Sequence, residues 1–87
     1  MFNQVVLVGR VKEIYDDHID LGVSIDPRDR EDEIVIPIQM SENLIAHLLL
    51  DNVCGIKGRI DMKENLITIV CDRLTVLDAR GKSNEGN

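Results

Sequence analysis

The chain has 87 residues, 44% of them hydrophobic, with one Tyr, one Phe, no Trp and a net charge of −6 from 16 acidic and 10 basic side chains. That length makes one domain, small for a self-sufficient core, and the acidic balance argues against a strong non-specific grip on polyphosphate while leaving room for a local basic groove. No apolar run approaches the roughly 20 residues of a membrane span, and "MFNQVV" lacks the charged and apolar regions of a signal peptide, so the cytoplasm is the expected compartment.

Residues 4–12 read as a first strand, with Val5, Leu7, Gly9 and Val11 pointing one way and Val6 and Val8 the other. It is therefore apolar on both faces. "EIYDDH", 13–18, is a tight polar connection. "IDLGVSI", 19–25, alternates Ile19, Leu21, Val23 and Ile25 against Asp20, Gly22 and Ser24, which predicts a half-buried second strand. "DPRDRED", 26–32, has no apolar residue and opens on Asp-Pro, a solvated loop. "EIVIPIQM", 33–40, is a third strand in which Pro37 marks an edge, a bend or the end of pairing.

The period then changes. "SENLIAHLLLDN", 41–52, has Ser41 as N-cap, Glu42 in the first turn and Leu44, Ile45, Leu48 and Leu49 at helical spacing, predicting a helix of two to three turns. "VCGIKGRI", 53–60, returns to period two, with Cys54, Ile56, Gly58 and Ile60 inward and Lys57 and Arg59 outward. "DMKEN" is a hairpin turn, and "LITIVCDRLTVL", 66–77, is a last strand, apolar on both faces over its first half. Residues 1–78 then form the domain, and 79–87 form a polar, frayed tail.

The order strand, strand, strand, helix, strand, strand predicts an all-β protein with one short helix: a five-stranded antiparallel sheet closed as an OB-fold barrel. Gly9 and Gly58 fall inside strands, where Gly marks a sharp coil or a bulge. The rival SH3-like barrel would not place a capped helix between strands three and four.

The strings "FNQVVLVGRV" and "SENLIAHLLLDNVCGIKGRI", the latter with Glu42-Asn43, Gly55 and Gly58-Arg59, resemble the first strand, the helix and the fourth strand of the bacterial single-stranded DNA-binding protein family. "LITIVCDRLTVL" is similar to its fifth strand. The likeness covers nearly the whole chain, with shorter loops here. It implies an OB-fold in a DNA replication or repair setting, a homodimer or homotetramer built on the first strand, and single-stranded DNA and a replication protein as partners. Independently, Val6 and Val8 on an outward strand face predict a subunit interface, because a soluble protein seldom leaves such a surface open. The alternative is that the helix or the tail covers them.

Family members stack bases on aromatic side chains in a positive groove. Here the family's aromatic positions fall near Glu31 and Pro37, Tyr15 is the one aromatic expected at the surface, and Asp16-Asp17 and the acids from Asp29 to Glu33 repel phosphate. The acidic, Phe-terminated tail of the family has no counterpart in "SNEGN". What remains for a nucleic acid is a set of cations: Arg10 and Lys12 at the end of the first strand, Arg28 and Arg30 on the loop, Lys57 and Arg59 on one face of the fourth strand, Lys63 at the hairpin and Arg73 on the fifth strand. As a group on one barrel face they would contact phosphates, which requires only charge within reach. Singly, each reads as a solvated cation beside acidic neighbours.

Cys54 and Cys71 read as reduced core thiols. With His18 and His47 they match no zinc spacing, so no metal and no cofactor are expected. GxSxG, P-loop and HExxH motifs are absent, and Asp16-Asp17 has no partner base, so no enzymatic reaction is expected. Two functions survive: weak, electrostatic binding of single-stranded nucleic acid by a homo-oligomer, and, alternatively, a protein–protein interaction module that has lost nucleic-acid binding.

Overall fold

The computed structural model describes residues 3–26, 28 and 32–78. Its elements run β1 (Val5–Ile14), β2 (His18–Ser24), β3 (Glu33–Gln39), α1 (Glu42–Ile45), β4 (Val53–Lys63) and β5 (Leu66–Val76). The strands close into a barrel in the order β1-β2-β3-β5-β4, with α1 between β3 and β4, which is the OB-fold. The tail predicted at 79–87 lies outside the described residues. Among the described residues no helix is long and apolar enough to cross a membrane.

Period two sets the core. Val11, Ile19, Leu21, Ile38 and Cys54 are wholly buried and Ile56 almost so; Met40, Leu48 and Cys71 complete the centre. On β1 the alternation holds: Leu7 and Val11 turn inward, while Val6 and Val8 are 66% and 55% exposed. Two strand glycines are steric requirements. A Cβ on Gly58 would lie 2.0 Å from the Val70 carbonyl oxygen, at the shift in the β4–β5 register beside Lys57, and one on Gly9 would lie 2.4 Å from the Gly22 carbonyl oxygen.

Four expectations are corrected. The sheet is not wholly antiparallel: β3 pairs β5 in parallel through Ile38↔Ile69 and Gln39↔Val70. A closed ring of five strands cannot alternate direction all the way round, so one junction must be parallel. That pairing starts directly after Pro37, which has no N–H to give it.

The helix is one turn, not two to three. The Ser41 hydroxyl accepts from the Leu44 N–H at 3.4 Å, but beyond Ala46 the chain tightens to i−3 bonds, His47 N–H to Leu44 and Leu48 N–H to Ile45. Asp51 at φ 70° then reverses it, and the buried Asn52 side chain accepts from the Leu49 N–H at 2.8 Å. Leu44, Ile45 and Leu48 still reach the core, because successive tight turns place apolar residues much as a helix does.

The β4–β5 hairpin is longer than expected. Asp61–Lys63 belongs to β4, and the turn is Glu64-Asn65 alone, both residues at positive φ (52° and 67°), the two-residue geometry that matches strand twist. Ile60 consequently is 45% exposed rather than inward, since the hairpin leaves the barrel there. The β1–β4 ladder ends at Val5↔Gly58, and the Asn3 side chain caps it, donating to the Ile60 carbonyl at 2.5 Å and accepting its N–H at 3.1 Å.

Candidate nucleic-acid interface

The predicted cations do not share one barrel face. On the outer face of β2 and β3, the customary ligand face of an OB-fold, the side chains in register are His18 with Gln39, Asp20 with Pro37, Gly22 with Val35 and Ser24 with Glu33. Glu33 lies flat over Gly22, where a Cβ would meet its carboxylate at 2.6–2.9 Å, and reaches across β2 to Lys12, whose ammonium is 2.8 Å away. Lys12, the extra residue of a β1 bulge between Val11 and Glu13, is thereby neutralised.

At the β1–β2 turn the Tyr15 ring stacks on His18, centroids 4.3 Å apart and planes within 10°. Its hydroxyl is 3.5 Å from an Asp20 carboxylate oxygen, and the charge of Asp20 raises the phenol above its usual pKa. His18 Nδ1 is 2.6 Å from an Asp17 carboxylate oxygen, and that hydrogen bond holds the Asp17 carboxyl below its ordinary range. His18 is the site residue sequence reasoning passed over. The signal was the Tyr-x-x-His spacing across a two-residue turn, which brings both rings to one side.

Arg28 folds back on its own loop. Its guanidinium lies 3.2 Å from Asp26 and its N–H donates to the same carboxylate at 2.9 Å, lowering the Asp26 pKa. Arg30 lies outside the described residues. Lys63 sits at the far end of β4, beside the hairpin turn.

The remaining cations come together on the other side of the barrel. Residues in register on β1, β4 and β5 form rows across their outer face: Val6, Lys57 and Arg73; then Val8, Gly55 and Thr75. The next row pairs Arg10 with Val53, and Leu77 closes it through a 2.8 Å backbone bond to Val53. Arg59 shares the face beyond Lys57 and is ion-paired with Asp72, the residue that the register shift leaves without an opposite. Lys57 and Arg73 are direct cross-strand neighbours, and among the described residues neither has an ion-pair partner. With Asn3, Gln4, Gly58 and Asp72 they line an open cleft of about 390 Å³. Arg10, at the opposite end, donates to the Asp51 carbonyl at 3.1 Å.

Both thiols are free and buried, and burial pushes Cys54 up to about 11. Among the described residues no three His, Cys, Asp or Glu side chains are grouped to hold a metal ion.

No family model matches the sequence, and no curated protein is significantly similar to it. Solved structures are similar over most of the chain. The dimeric N-terminal domain of the PriB protein from Thermoanaerobacter tencongensis has a TM-score of 0.72 at 19% identity, covering 87% of this chain and 97% of that one. The protein PriB from Ralstonia solanacearum gives 0.73 at 13%, covering 90% and 100%. The mitochondrial single-stranded DNA-binding protein Rim1 of S. cerevisiae gives 0.69 at 11%, covering 90% and 98%. At such identities the likeness speaks for architecture: the chain has the same OB-fold barrel as PriB and as the Rim1 single-stranded DNA-binding protein.

Proposed function

We propose that this chain binds single-stranded nucleic acid, weakly and by charge, as a homo-oligomer, and that it carries out no reaction of its own. The observation that carries this reading is the Lys57–Arg73 pair. Like charges directly opposite each other on neighbouring strands destabilise a sheet, and these two stand bare over an open cleft with Arg59 alongside. A phosphate backbone supplies the missing counter-charge without any base readout. The kinship in fold with a protein described as single-stranded DNA-binding supports the same reading, as does the dimer described for one PriB domain.

Oligomerisation supplies strength that one protomer lacks, since linked weak sites act together. The free thiols fit a reducing compartment, the cytoplasm.

The second reading, a protein–protein module, is favoured by the face where an OB-fold usually stacks bases. Asp20, Glu33 and Pro37 occupy it, and Tyr15 on His18 is the one stacked pair among the described residues.

Fluorescence anisotropy of a labelled oligonucleotide separates the two. Binding is expected to be micromolar or weaker at physiological salt, with log K falling steeply against log salt. Lys57→Glu combined with Arg59→Glu is expected to abolish it. No binding at low salt by the intact oligomer leaves only the interaction module.

A further inference from the structure

Pro37 interrupts the one parallel junction of the barrel. Before Ile38↔Ile69 the next pair in register would be Pro37 with Thr68, and Pro37 has no N–H to give. From there back to their starts the two strands are unpaired with each other. β3 is paired along its whole length with β2, and the start of β5 with β4. Among the described residues, 33–36 of β3 and 66–68 of β5 have no partner strand on their other side. Alternate residues of each stretch turn their N–H and C=O toward that opening.

The side chains beside the opening have the parity of a core. Alternation puts Ile34 on the same face as buried Ile38, and the rows Ile60↔Ile69 and Met62↔Ile67 continue the face of Gly58↔Cys71. Yet Ile34, Ile60, Met62 and Ile67 are 46%, 45%, 66% and 71% exposed. Inward parity with outward exposure marks a gap in the wall. The outer edge of β4 is different, since Asn3 and Asp61 occupy its free backbone groups.

We propose that this gap is the docking site for one extended segment of another protein, added as a sixth strand beside β3 and β5, with apolar residues at alternate positions and basic residues at its ends. The proposal goes beyond the nucleic-acid reading and does not rest on it. Five strands force one parallel junction, but β3 and β5 run the same way, so a single added strand can run opposite to both. Its backbone then pairs with edges that nothing else serves, and its alternate side chains cover Ile34, Ile60, Met62 and Ile67. Charge sets its ends: Asp32, Asp61 and Glu64 border the gap against Lys63, while Glu33 is already held by Lys12. The chain's own remaining stretches lack the pattern, for 79–87 read "ARGKSNEGN" and 29–31 read "DRE".

The probe is a short synthetic peptide alternating Val and Thr between terminal lysines, labelled with fluorescein and titrated into the whole protein by anisotropy. Saturable binding is expected, with amide hydrogen exchange slowed in residues 33–36 and 66–68 and unchanged at Lys57 and Arg73. The same peptide N-methylated at its valines keeps the side chains and loses the backbone donors, and it is expected not to bind. Ile34→Ser with Ile67→Ser is expected to weaken binding at least about tenfold, because both side chains would be covered by the added strand. Both positions are exposed, so the strand signal in circular dichroism is expected to persist; if that variant unfolds, the N-methylated peptide on the unaltered protein still decides.

No saturable binding overturns the proposal, as does equal binding of the N-methylated peptide or protection that appears only elsewhere on the barrel. A peptide that binds only by splitting a dimer gives the gap to a second copy and overturns the choice of occupant. Oligonucleotide binding is measured separately, and its loss or presence leaves this result as it stands.

Discussion

Single side chains decide both the strength of this barrel and the chemistry of its surface. Gly58 permits β4 to pass against the Val70 carbonyl, and Gly22 permits Glu33 to lie across β2 onto Lys12. Gly58→Ala is expected to force backbone apart and lower stability by about 1–3 kcal/mol, read from the urea midpoint. Tyr15→Ala removes one ring of a stacked pair, so any nucleic-acid affinity is expected to fall by at most about 1–3 kcal/mol, measured by anisotropy. A larger loss would mean that stacking, rather than charge, holds the ligand.

Cys54 supplies a pH dependence. Burial raises its thiol pKa from 9.0 to about 11. Above pH 9 the unfolded chain releases this proton while the folded chain keeps it, so the unfolded state gains. The contribution is fully present below pH 9 and is lost as pH rises toward about 11. Urea titrations through that window are expected to show a falling midpoint, and Cys54→Ala is expected to flatten that part of the fall.

Elements of the barrel differ in how well their edges and faces are covered. The β4 edge beyond the β1 ladder is blunted by side chains: Asn3 caps Ile60, and the Met62 N–H donates to the Asp61 carboxylate at 2.8 Å. Such capping discourages strand addition there. The outward face of β1 has no such device among the described residues, and Val6 and Val8 stand open beside Gly55. Val6→Asp with Val8→Asp is therefore expected to shift light scattering toward monomer while circular dichroism keeps its strand signal. Unpaired carboxylates are costly to bury in an interface and cost little in water. A folded oligomer of unchanged mass would place the contact elsewhere. The one-turn α1 and the tight turns after it matter less as a helix than as a plug, since Leu44, Ile45 and Leu48 belong with the barrel core.

At the scale of the whole molecule, charge is divided by face rather than by segment. Acidic groups line the customary ligand side through Asp20 and Glu33, and the bare cations lie across the barrel on β4 and β5. A net charge of −6 conceals that division. The long hairpin carries Met62, Leu66 and Ile67 out of the core, each more than 65% exposed.

Much of this was legible in the linear pattern. Period-two runs placed the five strands, the switch to helical spacing after Met40 placed α1 between β3 and β4, and the outward parity of Val6 and Val8 followed from alternation alone, because a strand turns each residue through half a revolution. Helix length was not legible: one turn and a chain of tight turns share the same apolar spacing, and only the reversal at Asp51, anchored by buried Asn52, ended it. The grouping of cations was not legible either. Lys57 and Arg73 are distant in sequence and became neighbours through the β4–β5 register, while Lys12 and Arg28 were neutralised by Glu33 and Asp26. Local periodicity is a property of the chain, so the sequence by itself determined the elements and their faces. Which charges meet, and which stay bare, depends on register between strands, and only the closed barrel decided that.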